Sequence, residues 1–155
     1  MQPTEQETEQ GYAPPTVRQF SVFLDNRVGK LLEVLEAIDE SHTAEVRGLS
    51  IIDSSDYAVV RFIFNHAEAA RKVLAQQNCA YCETAVLVVE LGEDQTLASV
   101  CRHLLRAEIN IHFSYSLMPS RTGSSVFVIC ADDPTFAGQV MRRKGCRVLG
   151  EADLA

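Results

Sequence analysis

The sequence predicts an α+β fold made of two βαββαβ units, each an antiparallel sheet of four strands with two helices on one face. Three observations predict it. Strand-like and helix-like periodicities follow the order βαββαβ across residues 17–84, and the same order recurs across 85–154. A shift of about 66 residues then superposes apolar positions, placing Val22 on Val88, Leu31 on Leu97, Val34 on Val100 and Val60 on Val126. This element order is the split-βαβ, or ferredoxin-like, arrangement.

Each element has its own signal. Residues 1–16 hold Gln, Glu, Thr and Pro with almost nothing to bury, and are expected to form a disordered tail. A strand over 19–25 leads to a helix over 28–41, where Val28, Leu31, Leu35 and Ile38 recur at helical spacing and Glu33, Glu36, Asp39 and Glu40 take the other side. Strands over 45–53 and 57–64 meet at the turn-rich DSSDY, and a helix over 66–77 and a short strand over 79–84 close the unit. The second unit, 85–155, repeats the plan. It has a strand over 85–91, a helix over 95–107 carrying Leu97, Val100, Cys101 and Leu104, strands over 109–118 and 124–131, a helix over 133–144 opened by DDP, and a closing CRVLGE. Several strands, such as VVRFIF and AVLVVEL, are apolar on both faces, so the second face of the sheet needs cover, from the other repeat or from a second chain, and self-association as a homodimer is expected.

Composition narrows the function. The formal charge of −7 divides into −3 for residues 1–16, −3 for 17–84 and −1 for 85–155, so no part is basic enough to bind nucleic acid or an anionic membrane. The run Arg142, Arg143, Lys144 falls at a helix end, where cations offset the macrodipole. No apolar run approaches the roughly 20 residues that span a bilayer and the start is acidic, which places the chain in the cytoplasm. Five cysteines, an odd number spread through hydrophobic segments, read as reduced and mostly buried thiols.

Candidate binding chemistry concentrates where the first strand turns into the first helix, at DNRVGK. A helix entrance presents N–H groups without partners, and a glycine beside it lets a carboxylate approach the main chain. Asp25 and Asn26 can accept from an ammonium, the N–H groups near Gly29 can donate to a carboxylate, and Lys30 adds a positive charge. Arg27 and Val28 complete the turn, and Ser50 and Asp53 on the following strands are candidates for its rim. The same residues also suit plain helix initiation, with Asn26 as a cap. In the second unit LGEDQ replaces DNRVG, with Gln95 at the glycine position, so an equivalent second site is not expected.

The duplicated unit, with DNRVGKLLEVLEAI at its first turn and VRGLSIIDSSDYAVVRF after it, resembles a tandem ACT-domain protein across both repeats. Asp25, Asn26 and Gly29 match the family's turn, while Val28 stands where proline is common. The resemblance implies a non-catalytic regulatory protein that binds a free amino acid or related small metabolite between paired domains, with an enzyme of amino-acid metabolism as a possible partner. No cofactor, metal or catalytic residue is implied. Regulatory subunits of acetolactate synthase also carry ACT domains, so a ligand-free interaction or regulatory subunit is the alternative. The enzyme alternative rests on Cys79 and Cys82 in CAYC, whose Cys-x-x-Cys spacing serves redox and zinc sites. Here the pair follows a helix instead of opening one, which removes the usual cause of a lowered thiol pKa. His42, His66, His103 and His112 stand in no recognised catalytic motif.

Overall fold

A computed structural model of the chain describes residues 6–8, 11–25, 29–53, 56–119 and 123–155. Strands β1 (Gln6–Thr8) and β2 (Gly11–Ala13) pair antiparallel. Next come β3 (Val17–Asp25), α1 (Lys30–Ser41), β4 (Val46–Asp53), β5 (Tyr57–Phe64), α2 (Ala67–Gln76), β6 (Ala80–Glu90) and α3 (Leu97–Arg106). The chain then forms β7 (Ile111–Ser116), β8 (Val126–Ala131), α4 (Pro134–Arg143) and β9 (Arg147–Leu149), and ends in a 3-10 turn at Glu151–Leu154. Two compact units result: a first of residues 18–84, and a second of 85–154 together with the segment up to Val17. Their boundary falls inside β6. The two strands expected at 79–84 and 85–91 are therefore one strand, since no glycine or proline interrupts the extended backbone there.

In the first unit β5 lies between β3 and β4, antiparallel to both, and β6 neighbours β3. Register fixes which side chains share a face. Phe20 pairs with Phe62 and Val22 with Val60, and these point to α1 and α2, where they join Val34, Ile38, Ala70 and Leu74 in a fully buried core. Phe20 meets Phe64 edge-on at 5.4 Å, a geometry that aromatic quadrupoles favour. Truncating such a buried Phe typically costs about 3–5 kcal/mol.

In the second unit β6 pairs with β8 and β9, and β7 pairs with the other edge of β8. Leu87, Val89 and Ile129 face the helices and pack with Val100, Leu104, Ala137, Val140 and Met141. On the opposite face, Val88, Val128 and Leu149 are buried as well. The first unit differs: Phe23 and Ile52, in one cross-strand row on the face away from the helices, are exposed.

The segment expected to be a disordered tail carries the β1–β2 pair, and Pro14 and Pro15 are buried. A glycine makes this possible. A Cβ built on Gly138, in α4, would stand 2.7 Å from Pro14 Cβ and 2.8 Å from its Cγ, so the proline ring occupies space that any other residue would fill.

The cysteines correct a second expectation. All five are thiols outside any disulfide, but only Cys146 is buried; Cys79 and Cys130 are partly buried, and Cys82 and Cys101 are exposed.

Candidate functional site

The turn between β3 and α1 combines three features. Strand β3 ends at Asp25, and α1 begins at Lys30 with Gly29 as its N-cap. Gly29 has φ +88°, in the left-handed region where a Cβ is costly, and its carbonyl accepts the first helical N–H, from Glu33, at 3.0 Å. A Cβ built there meets no atom of the described residues within 4 Å beyond its chain neighbours. Glycine is therefore required by the backbone torsion and not by crowding from any described residue. With no side chain at the N-cap, the first N–H groups of α1 receive no side-chain acceptor from it.

Lys30 is the first helical residue; its side chain is largely buried and its ammonium lies 3.5 Å from Glu33, an exposed carboxylate. Its charge reaches Cys79: burial pushes the Cys79 thiol up, and Lys30 opposes that shift. Asp25 is exposed on the face of the sheet away from the helices and pairs in register with Tyr57. The Tyr57 ring lies 6.5 Å from that of Phe23, and both are exposed. This aromatic pair beside a carboxylate was not read from the sequence. Alternation along β3 and the β3–β5 register together bring it about, and only the first is visible in one strand's sequence.

Asp25, Gly29 and Lys30 flank one turn, and Asn26, Arg27 and Val28 lie outside the described residues. Ser50 pairs with Arg61, which pairs with Ser21, so it sits four residues along the strands from the row of Asp25, roughly 13 Å. Asp53 shares Ala58 as a row partner with Leu24, which puts it on the helix side of the sheet, opposite Asp25. The rim expected of Ser50 and Asp53 is therefore not assembled around Asp25.

The corresponding turn of the second unit is filled by its own side chains. Gln95 Oε1 accepts from the Gly92 N–H at 2.8 Å, and its Nε2 donates to Cys146 Sγ at 3.4 Å. Burial pushes the Cys146 thiol up, and this hydrogen bond opposes the shift. By cap position, however, the counterpart of Gly29 is Thr96 and not Gln95. Thr96 Oγ1 accepts from Ser99 N–H at 3.1 Å while Ser99 Oγ accepts from Thr96 N–H at 3.0 Å, a complete capping box. The 66-residue shift fits the helix cores, Val34 to Val100, but misplaces the strands. The helix-facing residue that corresponds to Val22 is Val89, and that corresponding to Val60 is Phe127. An adjoining cavity of about 390 Å³ is lined by Glu90, Gly92, Gln95, Gly145 and Arg147, with Arg147 already 3.4 Å from Glu90.

The described residues contain no cluster of three or more His, Cys, Asp or Glu able to hold a metal ion, and no helix long and apolar enough to cross a membrane.

The sequence matches the family described as an ACT domain pair over residues 15–155. Among solved structures, a protein from Bacteroides thetaiotaomicron is 25% identical with a TM-score of 0.80, over 90% of this chain and 95% of that one. The ligand-free regulatory subunit of aspartate kinase from Thermus thermophilus is similar in fold, with a TM-score of 0.55 at 12% identity over 83% of this chain and 91% of that one. No curated protein matches the sequence.

Proposed function

We propose that this chain, which belongs to the family of ACT domain pairs, is a non-catalytic regulatory protein that binds a free amino acid or a closely related metabolite at the β3–α1 turn of its first unit. The observation that carries this reading is the difference between the two turns. The first opens on a glycine that no described residue crowds and that gives no side-chain cap, whereas the second is capped by Thr96 and closed by Gln95. A ligand carboxylate suits the N-terminus of α1, with the Lys30 ammonium adding charge. A ligand ammonium suits Asp25 and the neighbouring faces of Phe23 and Tyr57, where ring quadrupoles attract cations.

On this reading the protein acts in the cytoplasm, self-associates as a homodimer, and passes ligand occupancy to an enzyme of amino-acid metabolism. The exposed Phe23, Tyr57 and Ile52 also favour a second reading, a ligand-free interaction subunit that uses this face for a partner.

A thermal-shift screen of the twenty amino acids, followed by calorimetry, separates the two. A ligand at about 100 times its Kd adds about 2.7 kcal/mol, which for a chain of this size raises Tm by roughly 5–10 °C. No shift and no heat with any of them at millimolar concentration would leave the interaction reading standing alone.

A further inference from the structure

Two helices present exposed faces that complement each other. On α3, Leu97 is 50% and Leu105 75% exposed, and Cys101 between them is exposed too, so an apolar stripe runs along the outside of the helix at four-residue spacing. Beside it opens a groove of about 540 Å³ lined by Cys101, Arg102, Leu105, Ile109 and Ile111. Arg102 and Arg106, one turn apart, flank the stripe and form no ion pair among the described residues. On α1 the pattern is inverted. Leu32, 58% exposed, projects alone among Glu36, Asp39 and Glu40, which also lack ion-pair partners among the described residues.

From this complementarity we infer that α3 is the docking surface for α1 of a second copy of this chain, with Leu32 seated in the groove and Glu36 and Glu40 facing Arg102 and Arg106. Both charge pairs are spaced by four residues, one helical turn, so two opposed rows can meet in one register. The apolar contact supplies the area removed from water, and the charges orient the approach and exclude other registers. Each copy carries both faces, so each can give and receive this contact. The inference rests on the self-association proposed above and names its surface; it is independent of the ligand.

The test is a charge swap read by sedimentation equilibrium of the full chain at micromolar concentration. The double variant R102E/R106E and the double variant E36K/E40K should each associate at least tenfold more weakly than wild type. An equimolar mixture should regain association, because each face then meets its opposite charge. Leu105→Lys should dissociate the wild-type background, with circular dichroism checking that all variants remain folded. A monomeric wild type would overturn self-association itself. An associated wild type whose double variants associate equally well, or whose mixture stays dissociated, would overturn this surface alone.

Discussion

At the residue scale the decisive position is Gly29, because its torsion and its surroundings can be tested separately. Gly29→Asn introduces a residue that tolerates the left-handed region, so stability should change by about 1 kcal/mol or less, while the new side chain enters space that no described residue occupies. Gly29→Val adds strain as well, at about 1–3 kcal/mol. If the turn is the ligand site, both variants lose more than about tenfold in affinity, or about 1.4 kcal/mol, by calorimetry well below Tm. Thr96→Ala is the control: it should cost about 1 kcal/mol of stability through the lost cap and leave affinity unchanged. Unaltered affinity in both Gly29 variants would mean that the turn only starts a helix. The glycine was legible in the sequence as part of the turn, although the helix was expected from residue 28 with Asn26 as a possible cap and α1 instead begins at Lys30 with Gly29 as N-cap; the aromatic pair beside Asp25 was not legible, because it is made by cross-strand register. Nor was Thr96 recognised as the second cap, since counting from the helix cores put Gln95 in that place.

At the scale of elements, the helices were read closely because their signals are local. Apolar spacing located α1 and α3, and DDP announced the Asp133 cap, which accepts from the Phe136 N–H at 3.0 Å, with Pro134 in the first turn. The cap of α2 was less visible: His66 Nδ1 accepts from the Ala69 N–H, a role few histidines fill. Strand β6 was divided in two because the repeat boundary falls at residues 84 and 85, and nothing in the sequence of one strand shows that two units share it. Helix α3 also carries a titrating group. His103 Nδ1 is buried without a hydrogen-bond partner among the described residues, and desolvation, then the charges of Lys144, Arg106 and Arg102, hold its pKa below the ordinary imidazole value. The folded state therefore binds this proton less readily than the unfolded chain, and stability falls as pH drops below the ordinary imidazole range. Urea unfolding at about pH 7 and about pH 5 should show a larger loss for wild type than for His103→Gln, which cannot be charged. Equal losses would assign the acid sensitivity to other groups.

At the scale of the whole molecule, duplication was evident in the sequence, but the place of the N-terminal segment was not. Composition over residues 1–16 suggested nothing worth burying, and what anchors the segment is a glycine far along the chain. Gly138→Ala should push its methyl group into Pro14 and Leu87 and lower stability by about 1–3 kcal/mol in urea unfolding. Adding Pro14→Gly should recover part of that loss, a non-additivity expected only if the two residues touch. Simple addition of the two effects would place the cost elsewhere in α4. The same contact bears on synthesis. A nascent chain emerges N-terminus first, and domains generally fold as units as they leave the ribosome. The first unit has all of its own residues once β6 has been made. Pro14 precedes the first unit and must wait for Gly138, which follows it, so the second unit cannot be completed until α4 has been made and its first segment spends that interval without its final partner.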